Sequence, residues 1–328
     1  MTTPGFVGLA ERGALEAKLE RARENLRSCA LCPRACGVDR LAGSLGYCGA
    51  GPGPRVYRHM PHSGEEPPIS GTGGSGVIFF SYCTMSCVYC QNYRMSDQGL
   101  GAERSAPDLA SMMYALARAG CHNLNLVSAT QYVPAVLEAL LLAAGNGVSL
   151  PVVWNTSGYE CRVTLDLLDG VVDVYLTDAR YASAEAASKY SDAPDYVAVN
   201  RAALREMKRQ VGPLELDDRG LARRGLIVRH LVLPAGAAGT EDVLRFVACE
   251  LGPGTAVSLM AQYYPTHRAS DFPEIARRIT RDEWAAAVAS LEATGIGDGW
   301  VQEYPDGVPS IAGSEIEPDG EDAARRRG

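Results

Sequence analysis

Between residues 76 and 261 six short apolar, β-branched runs alternate with helical patterns, and this alternation constrains the fold more than any other feature of the chain. The runs are GVIFFSY (76–82), NLNLVS (123–128), PVVWN (151–155), VVDVYL (171–176), GLIVRHLVL (225–233) and AVSLMA (256–261). Helical segments such as PDLASMMYALARAG, YVPAVLEALLLAAGNG and DYVAVNRAALREMKRQVG lie between them, and WVQEY reads as a short seventh strand. Strands separated by helices are the signature of βαβ units and a parallel sheet. Six units are too few for a closed eight-stranded barrel. The chain is therefore expected to form an α/β fold, a partial (β/α)6 TIM-like barrel or an open sheet, behind a cysteine-rich N-terminal extension. The expected division is an extension over 1–70, a barrel over 71–310 and a disordered polar tail over 311–328. Within the extension, residues 13–27 read as one helix, and the Gly/Pro-rich stretch 49–76 reads as a long ordered loop.

A chain of 328 residues that is 46% hydrophobic can bury a sizeable core without disulfides or metals. Its net charge of −8 argues against a general binder of nucleic acid or membrane surfaces. No run of about 18 apolar residues is present to span a bilayer. The charged N-terminus lacks the apolar core of a secretory signal, so a cytoplasmic protein with reduced thiols is expected. Seven of the ten cysteines then fall between Cys29 and Cys90. In a reducing compartment such clusters bind metal or react more often than they pair.

Parallel α/β architectures gather their active sites where strands end. Directly after the first run stands Cys83-x3-Cys87-x2-Cys90. Cysteines at i, i+4 and i+7 on one loop can each take one iron of a cubane cluster and leave the fourth iron open. A structural zinc site wants four protein ligands instead. The second group, Cys29-x2-Cys32-x3-Cys36-x11-Cys48, offers four soft ligands for an auxiliary iron–sulfur cluster or a structural zinc.

The Cys-x3-Cys-x2-Cys loop, with Tyr89 before its last cysteine, resembles the radical S-adenosylmethionine (SAM) superfamily. The segments CALCPRACGVDR, GSLGYCGAG, EEPPISGTGGSGVIFFS, CQNY, HNLNLV, NTSGYE, RRGLIVRHLVLP and SLMAQY together resemble its pyruvate formate-lyase-activating-enzyme-like branch, over residues 29 to about 304. The resemblance implies a partial (β/α)6 barrel and a 4Fe-4S cluster on Cys83, Cys87 and Cys90. It implies SAM bound at the open iron and cleaved reductively to a 5′-deoxyadenosyl radical, with electrons from a flavodoxin or ferredoxin. It favours a second 4Fe-4S cluster over zinc at Cys29, Cys32, Cys36 and Cys48. By position it implies SAM contacts from Ser128 and Thr130 at the amino end, and from Asn155 and Ser157 at the ribose and carboxylate. Arg229 or His230 would hold the carboxylate, and Tyr89 would pack near the adenine. Two strand ends depart from the branch: Ser128-Ala129-Thr130-Gln131 stands for a Thr-Pro-Thr-His type sequence, and Thr177-Asp178-Ala179-Arg180 for Pro-Asp-Phe-Lys.

These departures direct attention to the substrate. Asp178 and Arg180 are candidates to grip a polar substrate or act as a base. Cys161, just beyond the third strand end, is a candidate hydrogen-atom donor. Cys121 and Cys249 read as small buried thiols, and His59, His62 and the Glu65-Glu66 pair as solvated surface. The loop Gly71–Gly76 reads either as a close backbone approach near the cluster or as a tight turn. The expected activity is radical tailoring of a small molecule, with carbohydrates and epimerisation through Cys161 in view. The alternative is activation of a glycyl-radical partner enzyme.

Overall fold

The computed structural model describes residues 3–305, so the expected tail over 311–328 lies outside the described residues. The chain begins with two helices, α1 (Gly5–Glu11) and α2 (Ala14–Glu24), then β1 (Arg55–His62), α3 (Pro67–Ser70) and β2 (Ser75–Phe80). Next come α4 (Tyr93–Ser96), β3 (Ala102–Glu103), α5 (Ala106–Arg118), β4 (Leu124–Val127), α6 (Val133–Gly145) and β5 (Val152–Thr156). They lead into α7 (Arg162–Leu168), β6 (Val174–Asp178), α8 (Ala184–Ser191), α9 (Tyr196–Val211), β7 (Glu215–Leu216) and β8 (Ala222–Leu231). The described chain ends through α10 (Thr240–Phe246), β9 (Ala256–Met260), α11 (Arg281–Ala293) and β10 (Gly299–Val301).

All the strands expected from the alternation are present, and they join one mostly parallel sheet. Its path, β10-β9-β8-β6-β5-β4-β2-β1-β3, does not close. From β2 to β10 neighbours are parallel and follow chain order, as repeated crossovers of one hand produce. The strand β1 and the two-residue strands β3 and β7 pair antiparallel. Among the described residues no helix is long and apolar enough to cross a membrane.

The helix expected over 13–27 is α2, and a further helix, α1, precedes it across Gly13, whose left-handed φ of 71° parts the two. The other expectation for the extension changes. The stretch 49–76 is not a plain loop but contains β1 and α3. β1 reads RVYRHMPH and lacks clean apolar alternation; it is a strand because the free edge of β2 supplies its hydrogen-bonding partner.

Side-chain alternation divides the sheet into two faces. Leu124, Leu126, Val152, Trp154, Tyr175, Leu226, Val228, Val257 and Leu259 join the large core shared with the helices. Capping boxes at Ser105 and Thr280 fix where α5 and α11 begin. On the other face Val153, Val174, Leu176, Ile227 and Ala256 pack around Ile69 of α3. This short helix, opened by the Glu65-Glu66-Pro67 segment, forms a plug against the middle of the sheet. The Gly-rich loop following it lies at the start of β2, at the opposite end of that strand from Cys83, Cys87 and Cys90. A Cβ on Gly73 would stand 2.3 Å from the Gly120 carbonyl oxygen, so this glycine serves close backbone packing.

Candidate functional site

Above the plug, at the C-terminal ends of the parallel strands, lies a cavity of about 460 Å³. Its lining includes Cys83, Cys87, Cys90, Ser128, Asn155, Ser157, Asp178, Arg180 and Arg229, nine of the residues singled out from sequence. The strand ends that open it are strained. Tyr82 and Ser128 carry left-handed φ values of 70° and 58°, conformations that non-glycine residues hold only when their surroundings enforce them. Gln131 does so: its amide nitrogen donates to the carbonyls of Ser81 (3.1 Å), Tyr82 (3.1 Å) and Ser128 (2.8 Å). Gly158, after β5, lets the backbone pack closely on the end of β6, since a Cβ there would stand 2.5 Å from the Asp178 carbonyl oxygen.

The three loop cysteines form the rim, and each sulfur has a donor directed at it. Cys83 Sγ accepts from the Met85 amide at 3.5 Å, and Cys90 Sγ lies 3.1 Å from Ser96 Oγ. Cys87 Sγ accepts from Ser191 Oγ at 3.0 Å and from Arg180 Nη1 at 3.4 Å. Burial, reinforced by the neighbouring cysteines, pushes the Cys83 thiol up to about 12 and the Cys90 thiol to about 11. Both are neutral until a bound metal displaces their protons. Among the described residues no three His, Cys, Asp or Glu side chains converge to hold a single metal ion. A cluster makes a different demand, one iron for each thiolate. The soft donor set and the N–H and O–H groups aimed at its sulfurs fit that demand.

Below the rim the charged residues are paired. Asp178 Oδ2 accepts from Arg180 Nη2 at 2.6 Å, and its Oδ1 from Arg229 Nε at 3.0 Å. Arg229 Nη2 donates to Asn155 Oδ1 at 2.6 Å and Nη1 to Glu65 Oε2 at 3.4 Å. Glu65 Oε1 accepts from Asn125 (3.0 Å) and Asn155 (3.3 Å). Burial opposes charge on Arg229, but Asp178, Glu66 and Glu65 raise its pKa overall. Burial lifts Glu65 to about 7 against the pull of Arg229. The Glu65-Glu66 pair is thus no solvated face: both line the cavity, as does His62. Sequence reasoning missed these three because neither β1 nor the plug has a periodicity that reveals which side faces the sheet.

Four expected contacts do not line the cavity. Tyr89 is buried in an aromatic cluster edge-on to Tyr263, and its hydroxyl lies 2.6 Å from that of Tyr181. Thr130 donates to Glu160 Oε1 at 2.6 Å. His230 follows Arg229 on β8 and therefore points to the opposite face. Its Nδ1 stands 2.6 Å from the Ala179 carbonyl oxygen and its Nε2 2.9 Å from Thr240 Oγ1. A carbonyl only accepts, so Nδ1 carries the proton and Nε2 accepts from the threonine. Burial lowers the ring's pKa to about 4. Cys161 is the fourth: its thiol donates to the Ala30 carbonyl at 3.3 Å, beside the N-terminal cysteines, which corrects its reading as a hydrogen donor to the cavity. Cys121 is buried as expected, whereas Cys249 is exposed.

The N-terminal cysteines range from buried Cys29 and Cys32 to exposed Cys36. Burial, with smaller effects from Cys48, Cys29 and Cys161, pushes Cys32 up to about 12. Two arginines tie this group to the site. Arg34, between Cys32 and Cys36, lies 3.7 Å over the Tyr47 ring and donates to the carbonyls of Thr84 (3.1 Å) and Asp192 (2.5 Å). Thr84 follows Cys83, and Asp192 follows the serine that bonds Cys87. Arg40 is buried, donates to the Gln131 carbonyl at 2.6 Å and to the Gly51 carbonyl, and lies 4.0 Å from Cys29 Sγ.

No family model matches the chain. An uncharacterized protein of Methanocaldococcus jannaschii is 29% identical over 294 residues, covering 85% of this chain and 78% of that protein. That protein's description names no activity.

Proposed function

We propose that the chain is a radical SAM enzyme acting on a small molecule, and that its open sheet is a partial (β/α)6 barrel with the reaction in its mouth. The observation that carries this reading is the meeting of Cys83, Cys87 and Cys90 with Ser128, Asn155, Ser157, Asp178, Arg180 and Arg229 around one cavity. Cys83, Cys87 and Cys90 would each hold one iron. A cluster of this kind, with SAM at its open iron, supplies a 5′-deoxyadenosyl radical for hydrogen abstraction. The protein's own part is to exclude water, orient the bound molecules and set the charge beside the sulfurs. Arg180 does the last, since it joins Cys87 to Asp178. Asn155 and Arg229 remain candidates for polar ends of SAM. Tyr89, Thr130 and His230 act behind the wall, and Cys161 has no part in a hydrogen return to the cavity.

The second cysteine group, on this reading, holds an auxiliary 4Fe-4S cluster or a zinc ion, and a flavodoxin or ferredoxin delivers electrons. The cavity's size is that of a small-molecule site. The test is anaerobic reconstitution with ferrous iron, sulfide, SAM and dithionite. About eight irons per chain are expected for two clusters and about four for one, with 5′-deoxyadenosine and methionine formed. Alanine at Cys83, Cys87 or Cys90 should abolish both products. A glycyl radical seen by EPR on a partner protein, with no turnover of free small molecules, would favour the activating role.

A further inference from the structure

The cavity's floor holds a group whose needs the chain does not meet. Both oxygens of Glu65 are engaged, by Asn125, Asn155 and Arg229. Both oxygens of Asp178 are engaged, by Arg180 and Arg229. Glu66 lines the same cavity, is 8% exposed, and its Oε2 has no hydrogen-bond partner. An orphaned carboxylate oxygen at such burial is costly and calls for a specific cause. Arg229 feels the charge of Glu66 but makes no hydrogen bond to it: its Nε, Nη1 and Nη2 are directed to Asp178, Glu65 and Asn155. Once Glu65, lifted to about 7, is ionised, three carboxylates share two guanidiniums, so above that pH the floor is short of one positive charge and one donor. The walls above it, Phe79, Met95, Val127, Met260 and Trp300, are apolar or aromatic and suit the carbon body of a ligand.

We infer that Glu66 is the recognition residue for a protonated amine, so that the small molecule held between floor and cysteine rim carries an ammonium group at its deep end. The inference rests on the reading of this cavity as the reaction site, and it names the substrate class. The ammonium donates to Glu66 Oε2 and supplies the missing charge; the rest of the molecule extends towards Cys83, Cys87 and Cys90. A neutral polyol would leave the charge unbalanced.

The experiment uses the full chain, reconstituted anaerobically as above, with n-propylamine and n-propanol as matched probes. Thermal unfolding and titration are read for the wild type and for Glu66→Gln. Propylammonium should raise the wild-type melting temperature, bind at least tenfold more weakly to Glu66→Gln, and be unmatched by propanol in either protein. Without any probe, Glu66→Gln should melt no lower than wild type, because the amide removes an unpaired buried charge. Equal amine binding by the two proteins, or a Glu66→Gln chain that melts lower, overturns the inference. Running the titration also on chain without iron keeps the two claims apart. An amine effect with no 5′-deoxyadenosine leaves the subsite standing and removes the reaction. The converse result removes the subsite alone.

Discussion

The two faces of the sheet treat buried ionisable groups in opposite ways. On the cavity face Asp178, Glu65, Arg180 and Arg229 are bonded to one another as ion pairs. On the helix side His230 and Glu160 stand without a charged partner, and burial disfavours the charged form of each. His230 is pushed to about 4 by burial and satisfied by a carbonyl and a hydroxyl. Glu160 is raised by burial and accepts from Thr130, Thr156 and Trp154. The cysteines divide in the same way: the loop group faces the charged cavity, while Cys29 and Leu31 belong to the helix-side core. Pairing keeps charge available for chemistry, and neutralisation spends burial on stability.

The sharpest way to break this contrast is to remove one cysteine from each group. Cys87→Ala should cut bound iron by about four per chain and reduce 5′-deoxyadenosine to background, with little change in melting temperature. Cys32→Ala should instead destabilise the fold by several kcal/mol, less than the roughly 10 kcal/mol by which zinc alone folds a small domain. Iron analysis and calorimetry on both variants distinguish the outcomes. Equal loss of loop-bound iron from both would mean that the groups do not divide as the faces do.

The charge network comes next in size. Arg229→Met leaves Asp178 and Glu65 without their shared partner, and breaking such a buried pair costs about 3–5 kcal/mol. The measurement is chemical denaturation at neutral pH. A smaller loss at pH 5 than at pH 8 is expected, because Glu65, already lifted to about 7, takes up a proton once Arg229 is gone. A loss under 1 kcal/mol would show the cavity face to be wet and its charges screened.

His230 tests the other face through pH. Its folded pKa of about 4 lies below the ordinary 6.5, so between those values the unfolded chain binds more protons. The stability from neutral burial is present above pH 6.5 and falls away as pH drops towards 4, by about 3 kcal/mol in all. Glu65 and Asp173, raised to about 7 and about 6, act with the opposite sign over part of this range. The clean readout is therefore the wild-type curve minus that of His230→Gln, which retains a donor and an acceptor but does not titrate. A flat difference between pH 4 and 6.5 would break the contrast.

How far these faces could be read in the sequence depended on periodicity. The parallel strands were legible because crossover helices force an apolar run at each strand. The loop cysteines were legible because three ligands sit on one local segment. Arg229 and His230 were not told apart, since a strand buried on both sides gives no sign of which neighbour faces which way; only the pairing partners Asp178 and Ala179 decide it. Glu65 and Glu66 were hidden for a related reason. Their place on the floor comes from α3 plugging the sheet through Ile69, a long-range contact that four residues of helix do not announce. Cys161 was misread because distance along the chain from a strand end fixed its neighbourhood but not its direction.

The smallest expected effect concerns the link between the two cysteine groups. Arg34 sits within the N-terminal group, lies over Tyr47, and bonds carbonyls next to Cys83 and next to the serine that bonds Cys87. Tyr47 strengthens the clamp by donating to Asp192 at 2.7 Å. Losing hydrogen bonds from a charged donor costs about 1–3 kcal/mol, and here the loss falls on the backbone that positions the loop. Arg34→Ala should therefore lower the iron retained at the loop by a fewfold during gel filtration, while metal at Cys29, Cys32, Cys36 and Cys48 stays bound. Lysine at the same position keeps the charge over Tyr47 but cannot reach two carbonyls at once, so it should restore less than half of the loss. If the two sites are linked through this clamp, the effect is reciprocal: loading the loop must tighten metal at the N-terminal group by the same factor, and Arg34→Ala must abolish that coupling. Unchanged coupling in Arg34→Ala would leave the extension as a separate metal-bound cap.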